Sequence, residues 1–324
     1  FKWVAIGTSA FNSSQTAKRP MKPRLALFGS FTALFLAAAL APDLAYAGGC
    51  CGGGFAVPSL IAGDDRAQLA AEVSYGWIAS DVTSQGIWRD RESLESTTTT
   101  RLSGAIAAFE RAQFGLSVPF ISRGRGEESQ AGLGDISLTT GYEILTDWDY
   151  STYRPKLIGF MSVNTPTGRS INEATNTYRL DSRGRGYWAV GAGLLATKLI
   201  RKFDVFASCE AHRSFTKQTG DLEEVPGLGG SFGAGIGYTF RGTRFGVAST
   251  TSLEDPIDLH GSVESRGQFS RSTALTASVG RDIETSEGLI GVSASYTDQT
   301  LLGAPTNAAL SKTAMLLLTK RWAR

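Results

Sequence analysis

The strongest constraint on this chain is how its alternating segments are joined. From Arg66 onward, runs of about ten residues keep the period of two expected of half-buried strands, as membrane-crossing strands do. Val73, Tyr75, Trp77 and Ala79 share one face against Glu72, Ser74 and Gly76, and Leu102, Gly104, Ile106 and Ala108 oppose Arg101, Ser103 and Ala105. Ala112, Phe114, Leu116, Val118 and Phe120 form a third apolar face, and Ile136, Leu138, Tyr142 and Ile144 mark a fourth. Phe203, Val205, Ala207, Cys209 and Ala211 repeat the pattern against Asp204, Ser208, Glu210 and His212. In 154–163 the alternation is blurred by Ile158 and Phe160, and 187–197 is too uniformly small and apolar for a facing to be assigned.

Five further runs, ending at 312–322, bring the total to about twelve strands, an even number as a closed up-and-down barrel requires. The connections alternate in length. Those at 80–97, 121–134, 164–186, 214–230, 254–272 and 298–311 are long, whereas 110–111, 146–152, 198–202, 241–243 and 282–287 are short or moderate. A soluble sandwich has no reason to segregate loop length by parity, but an outer-membrane barrel has short periplasmic turns and long outer loops. The expected fold is therefore all-β: a transmembrane up-and-down antiparallel β-barrel over 67–324, with both ends on the periplasmic side.

The segment before the barrel fits export. Residues 21–47 join Lys22 and Arg24 to an apolar run and then to Ala45-Tyr46-Ala47, the three-part build of a signal peptide cleaved near Ala47. Residues 1–20 show no periodicity and are set apart as an upstream, non-native extension. Residues 48–66 are expected to be a flexible Gly/Cys-rich segment. Its Cys50 and Cys51 are weak candidates for a soft metal or, at Cys50, for acylation; with Cys209 the chain has 3 cysteines, an unpaired number that excludes a disulfide framework. The formal net charge of +2 comes without a basic stripe, so no nucleic-acid partner is expected. With only 2 histidines, His212 and His260, no catalytic constellation is assigned, no enzyme activity is expected and no cofactor is required.

Three short motifs stand in sequence: Val118-Pro119-Phe120, Gly132-Leu133-Gly134-Asp135 and Asn164-Thr165-Pro166-Thr167-Gly168. In order and spacing, over 109–168, they resemble the signatures of the outer-membrane transporter family named for the MetA pathway of phenol degradation. That resemblance implies an outer-membrane barrel passing small compounds, hydrophobic or aromatic ones among them. From the residues alone, Gly132 and Gly134 ease a loop-to-strand junction, Asp135 can bond its own turn amides, and Pro166 ends ladder pairing beside Thr167 and Gly168. Leu316, Leu318 and Trp322 resemble a terminal targeting strand, which implies the outer-membrane assembly machinery as a partner beside membrane lipid.

Residues opposite the apolar faces are the lumen candidates: Glu72, Arg101, Gln113, Glu143, Lys156, Asp204, Glu210 and His212. Both signs of charge among Ser, Thr and Gly fit a wetted interior that passes a small-molecule permeant. The same charges could instead pair across a narrow barrel and close it. The expected function is therefore a channel in the outer membrane of a Gram-negative cell, with a non-conducting surface barrel of structural, adhesive or loop-binding role as the alternative.

Overall fold

A computed structural model describes residues 59–91, 93–146, 153–261 and 264–323. The expected extension 1–20, the signal peptide 21–47, and Cys50 and Cys51 with the rest of 48–58 lie outside the described residues.

In chain order the strands are β1 (Asp65–Val82), β2 (Trp88–Asp90), β3 (Glu95–Ala108), β4 (Ala112–Arg125), β5 (Glu128–Leu133) and β6 (Ser137–Leu145). They continue with β7 (Lys156–Asn164), β8 (Ala189–Ile200), β9 (Phe203–Ser214), β10 (Lys217–Thr219), β11 (Leu222–Pro226) and β12 (Leu228–Phe240). The last are β13 (Thr243–Glu254), β14 (Ile257–Gly261), β15 (Ser265–Arg266), β16 (Ser270–Thr285), β17 (Gly288–Asp298) and β18 (Ala308–Ala323). A 12-strand antiparallel barrel of β1, β3, β4, β6, β7, β8, β9, β12, β13, β16, β17 and β18 closes where β1 pairs β18, from Ala67 opposite Trp322 to Val82 opposite Ala308. Closure leaves no unpaired edge to meet lipid, the condition under which strands can cross a bilayer.

Burial is inverted relative to a soluble protein. Leu69, Val73, Leu102, Phe114, Leu116, Phe232 and Val247 are exposed on the outward face, whereas Glu72, Gln113, Glu143, Lys156, Asp204 and Arg244 are buried on the inward one. This is the distribution of a barrel solvated by hydrocarbon outside and by polar groups within. Cys209 is exposed and free, on the outward face of β9 beside Ala207 and Ala211, as its alternation implies. Aromatics gather towards the strand ends: Trp77 with Tyr296, ring centroids 6.5 Å apart, at one end and Phe203 with Tyr238, 5.0 Å apart, at the other. Trp148 and Tyr150 lie outside the described residues.

Both described chain ends lie at the end with short turns. One of these is Arg241-Gly242, where both residues have positive φ (48° and 74°), as a two-residue type I′ hairpin turn demands. The opposite, loop end is more ordered than alternation alone suggests. The segment between β4 and β6, expected as a long connection, returns as β5 paired to β4 through Phe120–Leu133 to Arg125–Glu128. Likewise β10, β11, β14 and β15 form a separate 4-stranded antiparallel ribbon from two different loops. Strand alternation could not show this, because the pairing partners of β11 lie in β14.

Two of the runs left without a clear facing, β7 and β8, are resolved by what lies inside. Ile158, buried on the inward face of β7, packs with Leu195 of β8 and Ala62, with Phe160 and Phe206 against them. An apolar inward face erases the polar half of the alternation. Ala62 belongs to 48–66, expected to be flexible, yet Ser59, Leu60, Ile61 and Ala62 are each no more than 5% exposed. They pack against the inner wall at the turn end, so the described part of that segment is a seated element.

Candidate functional site

The three sequence motifs meet at one place on the inner wall at the loop end. Between β5 and β6 the strand breaks for Gly134, Asp135 and Ile136. Gly134 N–H donates to the Pro119 carbonyl at 2.9 Å. Pro119 has no N–H of its own, and this break is the place in the ladder where a missing donor is tolerated. Thr167 donates its hydroxyl to the Gly134 carbonyl at 2.7 Å and accepts the Ile136 N–H at 2.9 Å. The sequence expectation that Asp135 bonds its own turn amides is not met. Its carboxylate instead accepts the backbone N–H groups of Gly168 at 2.8 Å, Arg185 at 2.6 Å and Gly186 at 3.2 Å. The V-P, GLGD and PTG elements therefore form one clasp that draws both ends of 165–188 to the barrel wall. Gly184 is needed for the approach: a Cβ there would lie 2.4 Å from Asp135 Oδ1.

Within this loop a second carboxylate organises the chain. Asp181 accepts from Thr175 N–H at 2.9 Å, Asn176 N–H at 3.3 Å and the Arg169 guanidinium at 2.7 Å. The Thr175 amide foremost, with Arg169 and Asn176, outweighs burial and holds its carboxyl far below the usual carboxylate range. Burial works to raise the Glu173 carboxyl, but Lys217 at 2.6 Å and the Ser170 N–H at 3.0 Å outweigh it and lower it. Tyr187 donates its hydroxyl to Glu224, which is fully buried on β11; burial, then that carboxylate, raises the phenol. The loop is thus fastened to the wall by Asp135 and to the outer ribbon by Glu173 and Tyr187.

Beneath the loop lies a cavity of about 580 Å³, walled by inward residues of β3, β4, β7, β8 and β9 and by 183–187. Its polar edge is a network in which Arg185 bonds Glu254 and approaches His212 Nε2 at 2.8 Å. His212 Nδ1 stands 3.4 Å from Glu210, and its Nε2 3.2 Å from Glu254.

Towards the turn end the inner wall turns apolar. The rings of Phe160 and Phe206 lie over Gly193 and Gly235 of adjacent strands, positions where a Cβ would come within 2.4 and 2.5 Å of ring carbons. Below them Gln113 holds the seated segment by both amide atoms: it accepts Ile61 N–H at 2.6 Å and donates to the Ile61 carbonyl at 3.1 Å. Ser59 and Thr139 hydroxyls are 3.1 Å apart, and Lys156 donates to the Gly63 carbonyl at 2.8 Å.

All eight lumen candidates lie on the inner side, and most are paired. Arg101 donates to Glu72 at 3.3 Å across β1 and β3, Lys156 meets Glu143 at 3.1 Å, and Arg244 forks onto Asp204 at 2.8 and 2.5 Å. These pairs form on neighbouring or nearby strands and do not span the interior. Glu210 and His212 belong to the outer network, and Gln113 to the seated segment. Of the motif residues, Gly132, Gly134, Asp135, Thr167 and Gly168 are at the clasp, while Pro166 is exposed at the start of the loop. Sequence reasoning missed Arg183, Arg185, Arg244 and Glu254; Arg244 was signalled by its place opposite Val247 and Phe245 in the alternation, and the loop arginines by nothing local. His260 lies on the outer ribbon, opposite Glu223 of β11.

Comparison with known proteins gives the fold. No family model matches, and no curated protein matches in sequence. Among solved structures, an outer membrane channel from Pseudomonas putida F1 aligns at a TM-score of 0.63 with 12% identity, covering 82% of this chain and 98% of that one. NanC porin aligns at 0.43 with 10% identity over 78% of this chain and 98% of the other. A mutant of TodX, a monoaromatic hydrocarbon channel, aligns at 0.43 with 8% identity over 80% and 91%.

Proposed function

We propose that this protein is an outer-membrane channel for small compounds, of the type named for the MetA pathway of phenol degradation, exported by 21–47 and inserted with its turn end in the periplasm. The observation that carries this reading is the lumen itself. A cavity of about 580 Å³ lies under the inward-held loop, and nearer the turn end Phe160, Phe206, Ile158 and Leu195 put apolar side chains inside the barrel. Apolar side chains inside a membrane barrel are not needed to meet lipid, and here they line the route a hydrophobic or aromatic solute would take. The opposite wall, from β12 to β17, carries small inward residues such as Gly233, Ala248, Ser278 and Ser293. Segment 59–63 occupies the turn end and is the element whose displacement would widen the path.

Planar-bilayer recording of the refolded chain, restricted to material whose gel mobility shifts on heating, tests the reading. Discrete current steps, reduced by small aromatic solutes, are expected. A silent membrane from properly folded protein would shift the function to a closed surface barrel whose outer ribbon and loops bind a partner.

A further inference from the structure

The charge pattern of the outer cavity goes beyond what passage of small compounds requires. Arg101, Arg123, Arg183 and Arg185 all line it. Arg101 is engaged by Glu72 and Arg185 by Glu254. Arg123 and Arg183 have no acidic partner among the described residues, and the Nε of each is buried without an acceptor. The Arg183 guanidinium donates to the Ala131 carbonyl at 3.1 Å, its one hydrogen bond among the described residues. The acids on the same wall are already used, Asp135 by three backbone N–H groups and Glu210 by His212.

Register places the two arginines close together along the inner wall. Arg183 lies over Gly132, where a Cβ would be 2.6 Å from its Cζ, so the first glycine of GLGD is its seat. Gly132 pairs with Ile121, and Arg123 is the next inward position along β4. Arg183 therefore stands over the strand next to Arg123 on the same inner face, where long side chains from diagonal positions approach one another. Two forked donors beside one another match a carboxylate, which accepts bidentate hydrogen bonds and supplies the missing charge. Next to them the wall turns apolar with Pro119, Ile121, Ala189 and the Tyr187 ring.

We infer that this cavity binds small organic carboxylates with an apolar body. Arg123 and Arg183 take the carboxylate, and Pro119, Ile121 and Tyr187 take the body. This deepens the channel reading by naming the permeant class, but it is tested by equilibrium binding, which needs no conduction.

The experiment is equilibrium dialysis of the refolded chain in nanodiscs against radiolabelled benzoate, with benzamide as the uncharged competitor. Benzoate is expected to bind saturably, and benzamide to compete about ten-fold more weakly or worse. Arg123→Gln and Arg183→Gln should each lower benzoate affinity about ten-fold, with Arg183→Lys restoring part of it. Folding of each variant is read from heat-dependent mobility. If Arg183→Gln does not fold, Gly132→Ala displaces the same guanidinium and takes its place. The inference is overturned if benzoate does not bind saturably, if benzamide binds as tightly, or if both glutamine variants keep wild-type affinity. Benzoate binding that persists beside a silent planar bilayer would support the site while removing the channel.

Discussion

The carboxylate of Asp135 accepts the backbone N–H of Gly168 at 2.8 Å, joining GLGD to PTG across 33 residues of sequence. Two more amides, from Arg185 and Gly186, meet the same carboxylate from the far end of the loop. One side chain therefore closes both ends of a segment that roofs the cavity.

Asp135→Ala should free that segment without opening the barrel. Hydrogen bonds to a charged group contribute roughly 1.5–3 kcal/mol each, and three are lost together. Trypsin should then cut at Arg179, Arg183 or Arg185 at least about ten-fold faster, while heat-dependent mobility stays as in the wild type. An unchanged cleavage rate would show that the ribbon contacts alone hold the loop.

Lys156→Ala removes from Glu143, 3% exposed at its side chain, the ammonium that stands 3.1 Å away. Removing one partner of a buried pair typically costs about 3–5 kcal/mol, while replacing both by apolar groups is far milder. Urea unfolding followed by tryptophan fluorescence should show the loss in the single variant and its recovery in Glu143→Leu with Lys156→Met. Equal midpoints for both variants would contradict the pairing.

Gly115→Ala probes the seated segment. The added Cβ would fall 1.9 Å from the Ser59 carbonyl oxygen, a backbone atom that cannot turn aside. Alanine suits the strand itself, so the expected result is displacement of 59–61 and larger current steps from a barrel that still folds. Conductance identical to wild type would mean that this segment does not limit the path.

Acid should loosen the loop only at low pH. The folded-state pKa of Asp181 is depressed, so its contribution is complete above the unfolded value of about 3.9 and is lost as pH falls below that towards the folded value. Hydrogen exchange of 169–182 should be flat from pH 7 to about 5 after correction for intrinsic rates, then accelerate below about 4. Asp181→Asn should exchange faster throughout and show no such step. A transition near neutral pH would point to another group.

Much of the barrel is legible in the residue order. A strand crossing a bilayer must put alternate side chains in hydrocarbon, so Val73, Leu102, Phe114 and Phe203 declare the outward face, and Glu72, Arg101, Gln113 and Asp204 the inward one. The parity of loop lengths follows from the same up-and-down path. On β7 and β8 the sign is lost, because Ile158, Phe160 and Leu195 are apolar and yet point inward. Their partner is Ala62, which precedes the first strand.

What the chain order alone determined is therefore the closed barrel, its strand number and the side of the wall on which most charges stand, since all three follow from a local period of two. Tertiary structure decided what fills and roofs that barrel. Asp135 bonds amides 33, 50 and 51 residues away, Gln113 holds Ile61 from 52 residues away, and Arg183 finds its seat on Gly132. Such contacts depend on which backbone groups a closed ring of strands brings face to face, and a period of two carries no record of that distance.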